Sequence, residues 1–327
     1  MKRHYLWNLK RRFCVDKKFY ITTPIYYPSA KPHMGHAYSS IIADFFARFK
    51  KIDGFEVHFL TGTDEHGMKI QRSAEKQNID TLEFCNEISK TFRDLSKILN
   101  LSNTDFIRTT EERHKKSVQH LWNELEKNDD IYLSKYSGWY SVSDEAFYTD
   151  EEIEEVDDVK RSISSKSTVE WIEEESYFFR LSKWEKPLLN YYQSHPNFIS
   201  PESRKNEVIS FVKGGLKDLS ISRKSFSWGI KVPNNNEHVI YVWLDALTNY
   251  ISALNYPNTN SKLFKDFWPA SVHLIGKDIL RFHAVYWPAF LLAAKIKLPL
   301  KVYGHGWILS GDEKMSKSKG NILDPLD

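Results

Sequence analysis

The sequence is poor in cysteine, with only Cys14 and Cys85 among 327 residues. Two cysteines cannot form a disulfide framework or a four-cysteine zinc site, and their scarcity favours a reducing compartment over secretion. Long hydrophobic runs are also missing. The best candidate, residues 284–294, is shorter than the ~18 residues that a membrane helix needs, and it carries Pro288. We therefore predict that the chain does not span a membrane.

Two common phosphate-binding motifs are absent as well. Residues 62–69 come close to the Walker pattern, but the lysine is displaced by one position, and Asp64 and Glu65 would repel phosphate. The segment Gly304-His-Gly306 lacks the third glycine of a dinucleotide-binding fingerprint. If the protein binds a nucleotide, it must hold the phosphates in another way.

Positive charge is concentrated at the N-terminus. Residues 1–18 hold seven Lys or Arg and one acid, Asp16, whereas the whole chain has 46 basic and 43 acidic residues. A basic, nearly acid-free start with interspersed aromatic residues resembles a mitochondrial transit peptide, although this stretch has no serine. We predict that residues 1–18 direct the protein to the mitochondrial matrix. The alternative is a disordered basic arm on a cytoplasmic protein.

The composition, 41% apolar and 27% charged, is that of a globular chain of about two domains. A β-rich stretch from Phe19 runs into a proline-punctuated loop, which is followed by helical spacing over residues 35–51. A second strand over residues 56–60 precedes further helical spacing to about residue 99. This alternation of strands and helices predicts an α/β fold with a parallel sheet covered by helices.

Residues 131–228 follow a different pattern, with short aromatic strands, an acidic run and a serine-rich patch. We interpret them as an insertion that splits the sheet, because β-rich segments separated by helical spacing return after it. Those segments are residues 239–243, 272–275 and 300–303.

The first strand and loop lead into His33-Met-Gly-His36, at the expected start of a helix. Ligands collect at the carboxyl ends of parallel strands, and the free N–H groups of a helix N-terminus attract anions. Two imidazoles and a glycine in this place suit a phosphate or a flat ligand. An HxxH pair alone is equally compatible with half of a metal site or with two surface histidines.

A second motif, Lys314-Met-Ser-Lys-Ser-Lys319, lies between Gly311 and Gly320. Three lysines on a glycine-hinged loop suit a mobile clamp on polyphosphate, since ammonium groups stabilise the charge that builds on a leaving pyrophosphate. A lysine cluster taken alone is more often a solvated loop. The presence of both motifs in one α/β chain favours the phosphate interpretation.

The two motifs together resemble those of class I aminoacyl-tRNA synthetases, HMGH corresponding to the HIGH motif of that family. Further segments resemble blocks of the methionyl-tRNA synthetase family, and the resemblance covers residues 19–327. It implies a Rossmann-like doubly wound parallel sheet split by a connective-peptide insertion domain. The segments are Thr23-Pro-Ile-Tyr-Tyr-Pro28, Thr61-Gly-Thr-Asp-Glu-His-Gly67, Val242-Trp-Leu-Asp-Ala246, Gly276-Lys-Asp-Ile279 and, in the insertion, residues 174–182 and 214–223.

The resemblance also implies a reaction. Methionine would be activated by ATP, in a substrate complex with Mg²⁺, to methionyl-adenylate and pyrophosphate, and then transferred to tRNA(Met). The partners are thus methionine, ATP and tRNA(Met), with no membrane partner, and a monomer is expected. No side chain needs to act as a general base, because the carboxylate of the amino acid is already a nucleophile. Acid or base chemistry by Asp245 has no support.

Motif matching implies roles for individual residues. Aromatic side chains suit a thioether, and a carboxylate, Asp64, suits the α-ammonium group. The alternative for Trp243 and Tyr250 is simple core packing. Lys317 is the stronger candidate for stabilising the transition state. The implied catalytic residues are His33, His36, Lys314 and Lys317; the ATP-binding residues are Gly35, Asp278, Gly306, Trp307, Ile308, Leu309 and Arg223; and the methionine-binding residues are Ile25, Tyr27, Asp64, Trp243, Ala246, Tyr250 and His283.

The sequence departs from the family pattern in two places. Many relatives carry cysteine zinc knuckles in the insertion, but Trp139-Tyr-Ser-Val-Ser-Asp-Glu145 has no cysteine, so we predict no structural zinc and no other metal site. The family also continues beyond Asp327 into a helical stem and an anticodon-binding bundle. This chain is therefore expected to form adenylate better than it charges tRNA. The predicted domains are the basic segment 1–18, the first catalytic half 19–130, the insertion 131–228, the second catalytic half 229–310, and the KMSKS loop with the start of the stem, 311–327, without an anticodon-binding domain.

Other classes of function remain open at this point. A synthetase-like binding remnant would keep the fold but turn over little. A metal hydrolase using the HxxH pair would lose activity to chelators and ignore methionine. A nucleotidylyltransferase with the same HxGH element would transfer adenylate to another acceptor.

Overall fold

The computed structural model describes residues 17–144, 146–310, 313–314 and 323–325. The predicted transit segment, residues 1–18, therefore lies almost wholly outside the described part. The first half of the chain alternates strands and helices, as predicted. Its elements are β1 (Lys18–Tyr26), α1 (Met34–Ile52), β2 (Glu56–Thr63), α2 (Met68–Gln77), α3 (Thr81–Ile98), β3 (Asp105–Arg108) and α4 (Glu112–Lys127).

The middle of the chain is mostly antiparallel β-structure with two helices near its end. Its elements are β4 (Ile131–Ser141), β5 (Ala146–Tyr148), β6 (Ile153–Val156), β7 (Val159–Ser162), β8 (Glu170–Phe179), α5 (Glu185–Ser194), β9 (Ile199–Ser200), α6 (Glu202–Lys213), β10 (Leu219–Ser220) and β11 (Ser222–Arg223).

The last part returns to alternation. Its elements are β12 (Lys231–Val232), β13 (Asn235–Ile240), α7 (Val242–Ser252), α8 (Lys262–Phe267), β14 (Val272–Gly276), α9 (Trp287–Ala293), β15 (Val302–His305), β16 (Leu309–Ser310) and β17 (Glu313–Lys314).

Six strands from all three parts form one parallel sheet with the order β3-β2-β1-β14-β15-β9. Ile21, Phe59 and Leu274, from three adjacent strands, are each at most 1% exposed. Strands buried in this way need helices on the faces of the sheet, which the α/β alternation supplies. The predicted α/β fold with a parallel sheet is confirmed.

The prediction of a strand over residues 239–243 is wrong about where the strand ends and about which strands it pairs with. Strand β13 stops at Ile240, and α7 begins at Val242. Strand β13 pairs with β11 and β12 in a separate three-stranded sheet, outside the central one. The run of β-branched and aromatic residues across this boundary favours a strand locally, and tertiary packing overrides that preference.

The segment predicted as an insertion contains its own four-stranded antiparallel sheet, with the order β10-β8-β4-β5. It also supplies β9, which pairs with β15 at the edge of the central sheet. Around β9, Tyr192 of α5 and Val208 of α6 are buried in the same cluster as Phe290 of α9. Part of residues 131–228 thus packs on the central sheet, and the division into domains stays a prediction.

In the stretch predicted to lack zinc, hydroxyl groups surround one carboxylate. Oδ2 of Asp144 accepts hydrogen bonds from the hydroxyls of Tyr148, Ser165 and Ser167. Burial raises the pKa of Asp144, but these hydroxyl donors outweigh it and lower the pKa below its usual value. Serine hydroxyls and one carboxylate are not the thiolate and imidazole ligands that structural zinc takes, so these residues do not fit a zinc site.

Within the described part of the chain, no helix has both the length and the apolar character needed to cross a membrane.

Candidate active site

The loop that precedes His33-Met-Gly-His36 and the loop that follows β2 lie side by side at the carboxyl edge of the central sheet. The last residues of β1 and β2, Tyr26 and Thr63, are register partners. His33 is the N-cap residue of α1, and Asp64 directly follows β2. The backbone N–H of Asp64 donates to the carbonyl oxygen of Tyr26 over 2.9 Å. The loops that lead to His33 and to Asp64 thus follow neighbouring parallel strands, at the edge of the sheet where ligands collect.

A cavity of about 290 Å³ opens at this edge, and we call it the aromatic cavity. One wall comes from β1, whose register shifts between Thr22 and Ile25, where Pro24 has no N–H to donate. Such irregularities re-aim side chains. The cavity is lined by all seven residues predicted to bind methionine, namely Ile25, Tyr27, Asp64, Trp243, Ala246, Tyr250 and His283. The structure brings them together, and their roles stay predictions.

Hydrogen bonds fix the orientation of Tyr250 and His283 at the cavity. Nδ1 of His283 lies 3.0 Å from the carbonyl oxygen of Ile279, so this nitrogen carries the proton, and Nε2 accepts from the Tyr250 hydroxyl over 2.6 Å. Burial lowers the pKa of His283 to about 4, so the ring is neutral at pH 7. Tyr250 is only 1% exposed, so it is a core residue and a cavity residue at once.

Several residues of the aromatic cavity were missed. The helical period offered a signal for two of them, since Leu247 is four residues after Trp243, and Asn249 is three residues after Ala246 on the same helix. The strand assigned to residues 239–243 concealed this period. The missed residues are Pro24, Lys69, Ser143, Asp144, Leu247, Asn249 and Ile279.

A second cavity, of about 420 Å³, surrounds the start of α1, and we call it the histidine cavity. The N–H of Gly35 donates to Nδ1 of His33 over 3.1 Å, and the N–H of His33 donates to Nδ1 of His36 over 3.1 Å. Because each Nδ1 accepts a hydrogen bond, each neutral ring carries its proton on Nε2. The two rings, 3.9 Å apart between centroids, are thus held as a pair of donors at a helix N-terminus.

The far side of the histidine cavity is formed by the ends of β14 and β15. Asp278, in the 3-10 turn after β14, accepts from the indole N–H of Trp307 over 3.1 Å. Oγ of Ser39, on α1, is hydrogen-bonded to Nε2 of His305 over 2.8 Å. This bond connects α1 to the end of β15, directly before the glycine turn. The predicted ATP residues that line this cavity are Gly35, Asp278, Gly306, Trp307 and Ile308, together with His33 and His36.

A wider groove of about 710 Å³ lies between the insertion and the second half of the chain, and we call it the wide groove. Arg223 lines this groove rather than the histidine cavity. The residue is 2% exposed, and its guanidinium group lies 3.9 Å from the centre of the Tyr241 ring and donates to Ser220 Oγ over 2.6 Å. Its predicted role in binding ATP stays a prediction.

The three spaces share walls. The aromatic and histidine cavities share Pro24, Ile25, Tyr27 and Ile279. Trp243 borders both the aromatic cavity and the wide groove, where its ring is stacked on Phe282 at 3.3 Å between centroids. A ligand in the aromatic cavity therefore adjoins a ligand in the histidine cavity, and both adjoin the groove.

Three predicted residues cannot be placed with their side chains. For Leu309 and Lys314 the structure gives the backbone, which pairs in a two-stranded antiparallel sheet. Lys317 lies outside the described residues. Asp245 is 0% exposed, and its two carboxylate oxygens lie within hydrogen-bonding distance of His66 and His114. It is therefore not placed for acid or base chemistry on a ligand.

Comparison with known proteins identifies the family. The family model described as tRNA synthetases class I (M) matches residues 19–327. The chain belongs to the class I methionyl-tRNA synthetase family. The methionine–tRNA ligase of Rickettsia bellii is 56% identical over 95% of this chain and 60% of its own length. The corresponding ligase of Listeria monocytogenes is 55% identical over 94% of this chain and 47% of its own length.

Solved structures of methionyl-tRNA synthetases agree with this. The crystal structure of the Mycobacterium tuberculosis enzyme bound by methionyl-adenylate has a TM-score of 0.92 and 51% identity, over 95% of this chain and 61% of that one. Its apo form has a TM-score of 0.79 and 49% identity, over 89% of this chain and 56% of that one. The chain thus spans about half to three fifths of the length of the methionyl-tRNA synthetases that it matches.

Proposed function

We propose that this chain activates methionine with ATP, forming methionyl-adenylate and pyrophosphate as a methionine–tRNA ligase. One observation carries the proposal: the aromatic and histidine cavities share a wall at the carboxyl edge of the sheet. An amino acid in the first cavity can present its carboxylate to the α-phosphate of a nucleotide in the second. The Mycobacterium tuberculosis relative is bound by methionyl-adenylate, the product of this step, which supports the proposal.

The reaction needs positioning and charge neutralisation more than proton transfer. A carboxylate oxygen of methionine forms a bond to the α-phosphorus, and the bond from that phosphorus to the bridging oxygen of pyrophosphate breaks. Nε2–H groups on His33 and His36, at the start of α1, are suited to stabilise negative charge on the phosphates. Lys314 and Lys317 are proposed to neutralise the pyrophosphate as it leaves, and Mg²⁺ would enter with ATP.

The aromatic cavity offers what methionine needs. A flexible thioether makes favourable contacts with aromatic rings of ~0.3–1.5 kcal/mol each, and Tyr27, Trp243 and Tyr250 supply such rings. Asp64, only 6% exposed, lines the same cavity and is proposed to bind the α-ammonium group. The proposed ribose contact is Asp278, and the proposed adenine contacts are the backbone of residues 306–309.

The test is methionine-dependent exchange of pyrophosphate into ATP, measured against a panel of amino acids. We expect exchange with methionine only, and losses of about 10²-fold or more in His36→Ala and Lys317→Ala, since groups that stabilise developing charge contribute this much. Matched controls are His195→Ala and Lys186→Ala, which change exposed side chains of the insertion and should leave the rate unchanged. Well-folded wild-type protein without exchange would favour a binding remnant and refute the proposal.

The same experiment separates the other classes of function. A hydrolase that used the HxxH pair would be inhibited by chelators and would not respond to methionine. Among the described residues, no group of three or more His, Cys, Asp or Glu is placed to hold a metal ion. A nucleotidylyltransferase would transfer adenylate to an acceptor other than methionine.

The transfer to tRNA(Met) belongs to the same proposal. The wide groove adjoins both cavities and offers Lys277 and Arg281 as cations and Phe282 and Tyr286 as aromatic surfaces. Such a combination suits a single-stranded nucleic acid end. The location in the mitochondrial matrix stays a prediction that the bacterial relatives do not support, and the monomeric state stays a prediction too.

A further inference from the structure

Three buried polar side chains, Asp245, His66 and His114, form a bridge that the proposed reaction does not use. We call them the buried bridge. Oδ2 of Asp245 lies 2.6 Å from Nδ1 of His66, and Oδ1 lies 2.7 Å from Nε2 of His114. The three residues are 0%, 4% and 0% exposed, respectively. The bridge continues to Ser252, whose Oγ lies 2.9 Å from Nδ1 of His114.

Asp245 carries a buried negative charge. Burial by itself raises the pKa of Asp245, but the two imidazoles outweigh it and lower the pKa to about 2. An ionised buried carboxylate is tolerated only when its oxygens are hydrogen-bonded. Each ring must therefore turn an N–H toward Asp245, and this requirement fixes the position of three separate segments of the chain relative to one another.

Two members of the bridge, His66 and Asp245, lie close in sequence to residues that line the aromatic cavity. His66 is two residues after Asp64, in the loop that follows β2. Asp245 lies in the first turn of α7, two residues after Trp243 and directly before Ala246. His114, in the first turn of α4, anchors the same carboxylate from a third element. The bridge thus connects the segment that carries Asp64 to the helix that carries Trp243 and Ala246.

We propose that Asp245 is a positioning residue for the amino acid: by holding His66 and His114 it sets the separation between Asp64 and the α7 wall of the aromatic cavity. This inference rests on the proposed function. Asp245 is completely buried, so it acts through the residues that it positions. The histidine cavity shares its β1 wall with the aromatic cavity, but none of its lining residues lies on α7 or in the loop that carries Asp64 and His66. Loss of the bridge should therefore affect methionine more than ATP.

The main test is Asp245→Asn, which keeps the shape but replaces one oxygen by an amide NH₂ that faces an imidazole N–H. Methionine binding is measured by calorimetry without ATP, and KM values for methionine and ATP by pyrophosphate exchange. We expect the Kd and KM for methionine to rise about tenfold or more, with the KM for ATP within about twofold, because small misplacements of binding groups are costly. The matched control is Asp130→Asn. Asp130 lies between α4 and β4, and its carboxylate accepts hydrogen bonds from Lys183 and Trp184.

A pair of variants at His66 protects the test against a simple loss of folding. Asparagine places an amide N–H near the position of Nδ1, whereas leucine has the bulk of the ring and no donor. His66→Asn should therefore keep most of the methionine affinity and His66→Leu should lose it, with thermal melting measured for both.

The outcomes separate the two proposals. Equal methionine affinities in wild type and folded Asp245→Asn would overturn the positioning role and leave the proposed function intact. Equal losses for methionine and ATP, or no difference between His66→Asn and His66→Leu, would also overturn it. A folded wild-type chain that does not bind methionine would refute both proposals.

Discussion

At the scale of single residues, the aromatic cavity depends on histidines that are kept neutral by burial. Burial lowers the pKa of His283 to about 4, against the small opposing effect of its hydrogen bond to Ile279. Burial also lowers the pKa of His273, whose ring stacks on Tyr250 at 4.1 Å between centroids. A neutral His283 accepts a hydrogen bond from the Tyr250 hydroxyl, and a protonated His283 cannot accept it. Protonation of His283 would thus disrupt the cavity as well as the fold.

The lowered pKa of His283 makes the free energy of unfolding depend on pH. An unfolded histidine has a pKa of about 6.5, so as the pH falls the unfolded chain takes up the proton before the folded chain does. The stability that a neutral His283 provides is complete above about pH 6.5 and is lost as the pH falls towards about 4. The free energy of unfolding of the wild type should therefore fall with pH in this window. We expect His283→Gln to make this slope shallower by up to ~1.4 kcal/mol per pH unit.

The measurement is urea denaturation at several pH values between about 7 and 4.5. The control is His195→Gln, because His195 is exposed at the end of α5 and should leave the pH dependence of wild type unchanged. A pH dependence in His283→Gln that matches wild type would contradict the argument.

At the scale of elements, helix α1 shows what the sequence could and could not predict. The spacing of Ile41, Phe45 and Phe49 predicts a helix, and the helix is there. Yet these three side chains are 47%, 64% and 52% exposed, whereas Ala43 and Ala47 are 0% exposed. Small residues let the helix approach the sheet closely, and this brings its N-terminal histidines beside the strand ends. A hydrophobic period gives the type of element, but it does not decide which face is buried.

Two substitutions in α1 test which face supports the fold. Ala43 packs in a cluster with Ile21 and Phe59, so Ala43→Leu adds volume to a filled space and should lower the free energy of unfolding by ~1–3 kcal/mol. Phe45→Ser removes a larger apolar side chain from an exposed position and should change it by less than about 0.5 kcal/mol. Urea denaturation checks both. The opposite ranking would mean that the exposed aromatic residues are buried in solution.

In the candidate site, too, some residues could be placed from their own segment of the sequence, whereas others are brought in by tertiary structure. The motif residues at 33–36 and 64 could be placed from the strand ends alone, because the carboxyl edge of a parallel sheet collects its loops. Leu247 and Asn249 were missed although the helical period offered a signal, because the start of the helix that carries them was taken for a strand. Lys69 and Asp144 reach the aromatic cavity from other elements, which no sequence spacing reveals.

At the scale of the whole molecule, the split sheet gathers three spaces around one edge. The aromatic cavity takes its walls from β1, the loop after β2, and α7, which lie on both sides of the insertion in sequence. The wide groove takes residues from the insertion and from the segment that follows β14. We infer that activation uses the two inner cavities and that transfer uses the groove, which shares Trp243 with the aromatic cavity.

Arg281 allows the two steps to be separated by one substitution. Its guanidinium group lies in the wide groove, 4.3 Å from the centre of the Phe211 ring, and the residue is exposed. Because it lines neither inner cavity among the described residues, Arg281→Ala should leave pyrophosphate exchange within about twofold of wild type. It should slow transfer from preformed methionyl-adenylate to tRNA(Met) by about tenfold, since the loss of a contact that stacks on a base costs ~1–3 kcal/mol.

The control for this experiment is Arg93→Ala, in which Arg93 also lies over an aromatic ring. Arg93 is exposed and lies 4.9 Å from the centre of the Phe106 ring, so Arg93→Ala also removes an arginine from an aromatic face. We expect Arg93→Ala to change neither exchange nor transfer, because Arg93 lies on α3 and does not line the wide groove. Equal effects of Arg281→Ala on exchange and on transfer would place Arg281 in the activation step. Such a result would mean that the groove and the inner cavities work as one site.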